Sequence, residues 1–206
     1  GIEFVQCQVC THIYQSRIIP YSNLCDFFAK DTDINIHSSD EQFEFRSQEL
    51  TAPKVFAILN RIKEVTPELT TGRWLDCGCG SGDMMYVVNK EGWDSAGYDI
   101  GEVGVEIALK NGLSAYTADL DEFHANIFPD IENSNKFDVA TAFGYIDVLP
   151  DPFADLKKIK SMIKSRGYFC MHQPIYKSLT HDLNSRFPEC AIRYFNAGQR
   201  SCFTEK

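Results

Sequence analysis

The stretch Asp76-Cys77-Gly78-Cys79-Gly80-Ser81-Gly82 closes a short apolar run and opens an amphipathic one, as where a strand hands over to a helix. A turn without side chains at such a junction leaves backbone amides at a helix N-terminus free to meet the polar groups of a cofactor. Gly78, Gly80 and Gly82 are spaced G-x-G-x-G. A dinucleotide pyrophosphate calls for G-x-G-x-x-G, so the loop leans away from a nicotinamide cofactor. An adenosine ribose needs a carboxylate for its two hydroxyls at the end of the next strand, roughly 20 residues on. Asp99 stands there. Its plainer role would be to cap the helix that begins near Gly101. Asp76 has two readings that can coexist: facing a positively charged amino end of a cofactor, or bonding the loop's own amides.

These residues need a frame to hold them. From Arg73 onward short apolar runs alternate with amphipathic stretches, the pattern of βαβ units and a parallel sheet. The predicted strands are Arg73 to Cys77, Ser95 to Tyr98, Ser114 to Thr117, Phe137 to Ala142 and Tyr168 to His172. Helices are predicted from Gly82 to Glu91, with Met84, Met85, Val87 and Val88 on the apolar face, from Val103 to Asn111, and from Pro152 to Lys164. Thr51 to Val65 has helical spacing in Val55, Ile58, Leu59 and Ile62, tolerates Pro53 in its first turn, and is expected to pack on the first of these strands. The polar, aperiodic Asp31 to Asp40 divides a lead-in, residues 1–40, from a cofactor-binding domain, residues 41–206.

Four motifs follow one another at strand-to-strand spacing: Trp74 to Gly82 (WLDCGCGSG), Gly97-Tyr98-Asp99-Ile100, Ala118-Asp119-Leu120 and Phe137-Asp138-Val139-Ala140. Over residues 50 to 175 they resemble the successive motifs of the class I S-adenosylmethionine-dependent methyltransferases. The resemblance implies an α/β fold, a Rossmann-like, doubly wound, mostly parallel sheet flanked by helices, and S-adenosylmethionine as cofactor. It implies Gly78, Gly80 and the loop backbone through Gly82 at the methionine moiety, and Asp99 on the ribose. Asp119 and Leu120 would bracket the adenine, Ile100 would pack on its face, and Phe143, Gly144 and Tyr145 would lie beside the transferred methyl. The expected acceptor is a small molecule, with a sugar or sugar nucleotide in view. A nicotinamide-dependent oxidoreductase on the same fold and a non-catalytic cofactor-binding module are the rival readings.

Methyl transfer is an in-line displacement at a sulfonium carbon, so an enzyme chiefly positions the nucleophile and, for a hydroxyl, removes its proton. The subgroup that the chain resembles carries Glu-His before a Pro-Asp-Pro turn. Here the stretch reads Asp147-Val148-Leu149-Pro150-Asp151-Pro152, without the histidine. Tyr145, Asp147 and His172 are the candidates for a polar role at the acceptor, and the sequence singles out none of them. The family's last two strands form an antiparallel pair, for which only Ile175 to Lys206 remains. Ala191 to Phe195 with Arg200 to Thr204 is one candidate hairpin, and truncation before the pair is the preferred expectation. The fifth strand would then keep an open edge, the basis for expecting a homodimer.

Cys7-x-x-Cys10 has the spacing of half a zinc ribbon. Phe4 to Phe28 resembles the lead-in of a methyltransferase subgroup in which a complete ribbon precedes the domain and some members act on sugars. A closed site needs four ligands, and Cys25, His12 and His37 are the further donors in reach. The expectation is two plain thiols and no metal, with Cys7 and Cys10 the ligands to look for. Cys77 and Cys79 are expected to be reactive if the helix N-terminus lowers their pKa. The net charge of -9, with 20 dispersed basic residues, disfavours nucleic acid. Phe137 to Leu149 is broken by Asp138 and Asp147 and cannot span a membrane. No basic flank or apolar h-region opens the chain, so a cytoplasmic protein with reduced cysteines is expected.

Overall fold

The computed structural model describes residues 3–17, 42–127, 135–173 and 201–202, together with residues 20, 22, 23, 26 and 175. β1 (Phe4–Gln6) and β2 (Ile13–Gln15) form an antiparallel hairpin, and β2 also pairs with β8 (Ser201–Cys202). The main sheet contains β3 (Arg73–Cys77), β4 (Asp94–Asp99), β5 (Ser114–Thr117), β6 (Phe137–Phe143) and β7 (Ile163–His172), all parallel and ordered β5-β4-β3-β6-β7. The order reverses between β3 and β6, so the crevice where open α/β sheets take ligands lies outside their carboxyl ends.

Helices α1 (Ala52–Val65), α2 (Asp83–Lys90), α3 (Glu102–Lys110) and α4 (Pro152–Met162) connect and cover these strands. α2 starts after Gly82, whose φ of 79° turns the chain, and carries Asp83 in its first turn and Lys90 in its last, as the helix dipole favours. α4 has Pro152 in its first turn and the Asp151 carboxylate accepting from the Ala154 amide at 3.0 Å.

The register assigns side chains to faces. Leu75, Ala96 and Ala140 share one row, and Cys77, Tyr98 and Ala142 the next. The alanines leave room for Phe123, Ile146, Leu149, Ile159 and Met162 to close over that face. On the opposite face Trp74 and Val139 meet Val55 and Ile62 of α1 and Met84, Val87 and Val88 of α2, with Trp93 edge-on to Trp74 at 5.3 Å. Each such buried large aliphatic or aromatic side chain contributes about 1.5–3 kcal/mol. Among the described residues no helix is long and apolar enough to cross a membrane.

Two expectations need correction. α4 ends at Met162, short of Lys164, because Ile163 already pairs with Phe137 at the start of β7. The pairing then jumps to Val139–Tyr168, so the extra residues form a bulge that Lys164 ties down by bonding both oxygens of Asp138 at 2.8 and 2.9 Å. The helical chain before β3 starts at Phe43, well ahead of Thr51: a turn at Phe43–Phe45 runs through a widely wound π-helical stretch, Arg46–Thr51, into α1. Buried Phe43, packed edge-on to Tyr86 of α2 at 5.1 Å, anchors that extension. Ser201 and Cys202, within one half of the candidate hairpin, pair with β2. The other half of that candidate hairpin, Ala191 to Phe195, and the boundary at Asp31 to Asp40 lie outside the described residues.

Candidate functional site

The loop from Asp76 to Gly82 is tied to β4 by its backbone. The amides of Gly78 and Cys79 both donate to the Tyr98 carbonyl, at 2.9 and 3.0 Å, and that of Gly82 donates to the Cys79 carbonyl at 2.8 Å. Gly78 and Gly80 have φ of 73° and 51°, the left-handed region that side chains resist. Their surroundings differ. A Cβ at Gly78 would lie 2.7 Å from Cδ2 of Tyr145, whereas one at Gly80 would meet nothing within 4 Å. The loop is thus packed on one side and open on the other, as a cradle for a ligand must be. From α3, Gly104 backs against it so closely that a Cβ there would lie 2.9 Å from the Gly80 carbonyl carbon.

Asp99 bridges two backbones. Its Oδ2 accepts from the Gly80 amide at 2.9 Å and its Oδ1 from the Gly101 amide at 2.7 Å, so one carboxylate fixes the loop and the residue that leads into α3, while the first turn of α3 takes no side-chain cap bond. Burial raises its pKa, and the amides of Gly101, Gly80 and Ile100 pull the other way. A carboxylate has about four acceptor positions, so both oxygens retain capacity for a ligand's hydroxyls.

Asp76 does not bond the loop amides, which go to Tyr98 and Asp99. Its Oδ1 accepts from the Thr141 hydroxyl at 2.7 Å, and that hydroxyl is itself held by Trp74 Nε1 at 3.0 Å. Burial pushes the Asp76 carboxyl up to about 7, against the Thr141 bond and with help from the charges of Asp99 and Asp83. A carboxyl so placed gains from a cation brought to the loop.

At the far end of β4 and β5, Asp119 caps the turn Leu120–Glu122, accepting from the Glu122 amide at 2.9 Å while Glu122 reaches back to the Asp119 amide at 3.2 Å. The Leu120 side chain is in the core with Tyr98 and Phe123, and Ile100 is half-buried beside Asp99.

Beyond β6, Gly144 is exposed with φ of 65°, and its amide donates to the His172 carbonyl at 2.8 Å. Phe143 stacks on the exposed His172 ring at 5.4 Å. Tyr145 leans over Gly78 and takes a hydrogen bond from the buried Tyr98 hydroxyl at 3.0 Å. Asp147, 6% exposed, lies in the single helical turn Ile146–Val148. Burial pushes its carboxyl up to about 6. With its amide oriented to satisfy both groups, Gln173 donates to Asp147 Oδ1 at 2.7 Å and accepts from the amides of Ile146 and Tyr145 at 2.9 and 3.2 Å. Gln173, which sequence reasoning passed over, therefore shapes the turn that presents Tyr145 and Asp147.

Arg46 was also missed. It is 5% exposed and reaches from the π-helical stretch to the start of α2, where Nη2 donates to the Ser81 hydroxyl at 3.0 Å and Nε pairs with Asp83 Oδ1 at 3.2 Å. The only signal in the sequence was a basic residue directly after Phe45.

The cysteines divide by burial. Cys77 is pushed up to about 12 and Cys79 well above the ordinary thiol range, both by burial, so the expected reactivity of the loop thiols is overturned. Cys7 and Cys10 lie in the hairpin loop between β1 and β2, where amides of Cys10 and Val9 face the Cys7 sulfur and lower its pKa. His12 instead contacts Ser201 Oγ at 3.3 Å. Cys25 and His37 lie outside the described residues. Among the described residues no three metal-ligating side chains gather.

Set beside known proteins, residues 45–205 match the family described as "Methyltransferase domain". The ubiquinone biosynthesis O-methyltransferase of Vibrio campbellii is 29% identical over 115 residues, 53% of this chain and 47% of its own length. The protein of that name from Acinetobacter baylyi is 26% identical over 131 residues, 63% of this chain and 53% of its own length. The chain thus spans about half the length of the curated relatives it matches. Among solved structures, the plantazolicin methyltransferase BpumL in complex with a pentazolic desmethylPZN analog and SAH superposes with a TM-score of 0.57 at 13% identity, covering 83% of this chain and 63% of that one. CalS10 with SAM bound, an amino pentose methyltransferase from Micromonospora echinaspora, gives 0.51 at 15% identity over 68% of this chain and 59% of that one.

Proposed function

Since the chain belongs to the methyltransferase-domain family, we propose that it transfers the methyl group of S-adenosylmethionine to a small-molecule acceptor bound beyond the carboxyl ends of β6 and β7. The observation that carries this reading is the glycine loop, closed by Tyr145 at Gly78 and open at Gly80, with Asp99 holding the Gly80 amide at 2.9 Å. When bound, S-adenosylmethionine supplies a methyl on a positively charged sulfur. The open face of the loop at Gly80 and the spare acceptor positions of Asp99 orient the cofactor, and the Asp76 carboxylate favours its cationic amino end. The backbone beside Asp119 and Leu120 borders the adenine, Ile100 lines its face, and Phe143 and Gly144 form the wall toward the acceptor.

The acceptor atom we favour is a hydroxyl oxygen. The relatives named as O-methyltransferases support oxygen, and the amino pentose methyltransferase among the structural neighbours supports a sugar-like acceptor. Of the three polar candidates, Asp147 suits removal of the hydroxyl proton best: it is buried, oriented by Gln173, two residues from Tyr145, and titrates near neutrality at about 6. His172 is exposed and stacked on Phe143, and Tyr145 serves as the wall over Gly78.

The test is transfer of label from methyl-labelled S-adenosylmethionine to a panel of phenols, catechols and amino-sugar nucleotides. The reading expects label on an oxygen of at least one of them. Tight cofactor binding with no label on any acceptor, oxygen or nitrogen, would instead support a non-catalytic binding module.

A further inference from the structure

Five residues, Gly78 to Gly82, make the cradle, and Ser81 is the one hydroxyl among them. That hydroxyl is held by one group of the strand–loop–helix unit and by one outside it. It donates to Asp83 Oδ2 at 2.5 Å and accepts from Arg46 Nη2 at 3.0 Å. Asp83 is in turn ion-paired with Arg46, whose Nε lies 3.2 Å from Oδ1 and whose Nη2 donates to Oδ2 at 3.5 Å, and it accepts from the Ser47 hydroxyl at 3.2 Å. Arg46, Ser47 and Ser81 are all buried, so the cluster is shielded from the water that weakens exposed pairs. Arg46 and Ser47, the first two residues of the π-helical stretch, both reach Asp83 at the start of α2.

Asp83 alone would be a poor neighbour for the loop. A carboxylate in the first turn of α2 repels any anionic group offered to the same amides, and with Asp76 and Asp99 it makes three acids around one turn. Arg46 cancels that charge and, through the planar fork of its guanidinium, holds both Ser81 and Asp83. We infer that Arg46 is a positioning residue of the cofactor site, by which the helical segment before α1 sets the shape and charge of the glycine loop. The inference rests on the cofactor reading proposed above.

The experiment is calorimetric titration of the full chain with S-adenosylhomocysteine, together with KM for S-adenosylmethionine and kcat on whichever acceptor the label assay identifies, for wild type, R46Q, D83N and R46Q/D83N. R46Q is expected to raise Kd and KM about tenfold or more, because it leaves a part-buried carboxylate beside the loop without its cation. kcat at saturating cofactor should stay within about twofold, as expected when an interaction shared by ground and transition states is removed. R46Q/D83N should recover most of the lost affinity. R61Q, which breaks the exposed Arg61–Glu64 pair on α1, is the control that leaves Kd unchanged. If R46Q does not fold, R46K, which keeps the charge but loses the fork, carries the same test with a smaller rise. A lowered melting temperature with wild-type Kd, or a double variant no better than R46Q, would overturn the inference alone. Failure of the wild type to bind either ligand would remove the cofactor reading and the inference with it.

Discussion

The two ends of this crevice are built from different materials. Around β3 and β4 the geometry is set by backbone: four loop amides reach Tyr98, Cys79 and Asp99, and conformation is dictated by glycines in the left-handed region. Around β6 and β7 it is set by side chains, with Gln173 holding the Asp147 turn and Phe143 stacked on His172. A backbone cradle recognises what every member of a family shares, and a side-chain wall recognises what each member changes. The contrast teaches that cofactor and acceptor functions can be separated by mutation.

The largest separation should come from the side-chain end. D147N is expected to lower kcat by about 100- to 10,000-fold, the range of general acid–base catalysis, while leaving Kd for S-adenosylhomocysteine unchanged. In wild type kcat should climb with pH through about 6 and level off above it, as the Asp147 carboxylate is freed of its proton. A D147N enzyme that keeps its rate would make this end a mere wall.

At the backbone end the order of effects reverses. G78V forces a side chain into a turn at φ 73° and against Tyr145, so cofactor binding should be lost, along with about 1–3 kcal/mol of stability. G80A is the sharper instrument. Its Cβ meets nothing within 4 Å in the ligand-free protein, so the variant should lose only the left-handed backbone cost of about 1–2 kcal/mol while the cofactor Kd rises steeply. Equal losses in stability and affinity at Gly80 would mean the open side of the loop is not where the ligand sits. D99N should weaken the cofactor by about 10- to 100-fold, since an amide in place of one carboxylate oxygen sets N–H against the amide of Gly80 or Gly101.

Legibility followed the same division. The glycine spacing and the position of Asp99 were readable because backbone conformation and strand-end position leave a fixed mark on sequence, and all five strands of the sheet were anticipated, the last of them without its first five residues, Ile163 to Gly167. α4 was read two residues too long because Lys164 continues a helical pattern that pairing with Phe137 overrides. Arg46 and Gln173 were invisible for a different reason. Each acts across the fold, on Ser81 and Asp83 or on Asp147, and no local period announces such a partner. Asp76 was half legible: its position at the strand end was clear, its bond to Thr141 on a neighbouring strand was not.

A separate effect, on stability, concerns pH and Asp76. Its carboxyl is raised from an ordinary 3.8 to about 7 in the folded chain, so between those values the folded state holds a proton that the unfolded state has released. Stability of the ligand-free protein should therefore decline as pH rises from about 4 to about 7 and then flatten, and D76N should remove that share of the slope. Denaturant melts at a series of pH values read this directly. An unchanged slope in D76N would place the titrating group elsewhere.

The central claim is that the loop from Asp76 to Gly82 is a cradle for an adenosyl-sulfur cofactor. Thermal unfolding of the full chain with S-adenosylhomocysteine, S-adenosylmethionine, NAD or no ligand tests it most directly, because a ligand bound only by the folded state raises the melting temperature with concentration. A rise with both adenosyl-sulfur ligands and none with NAD, abolished in G78V, is the predicted result. A cooperative transition that no S-adenosyl ligand moves, or one that NAD alone moves, would contradict it.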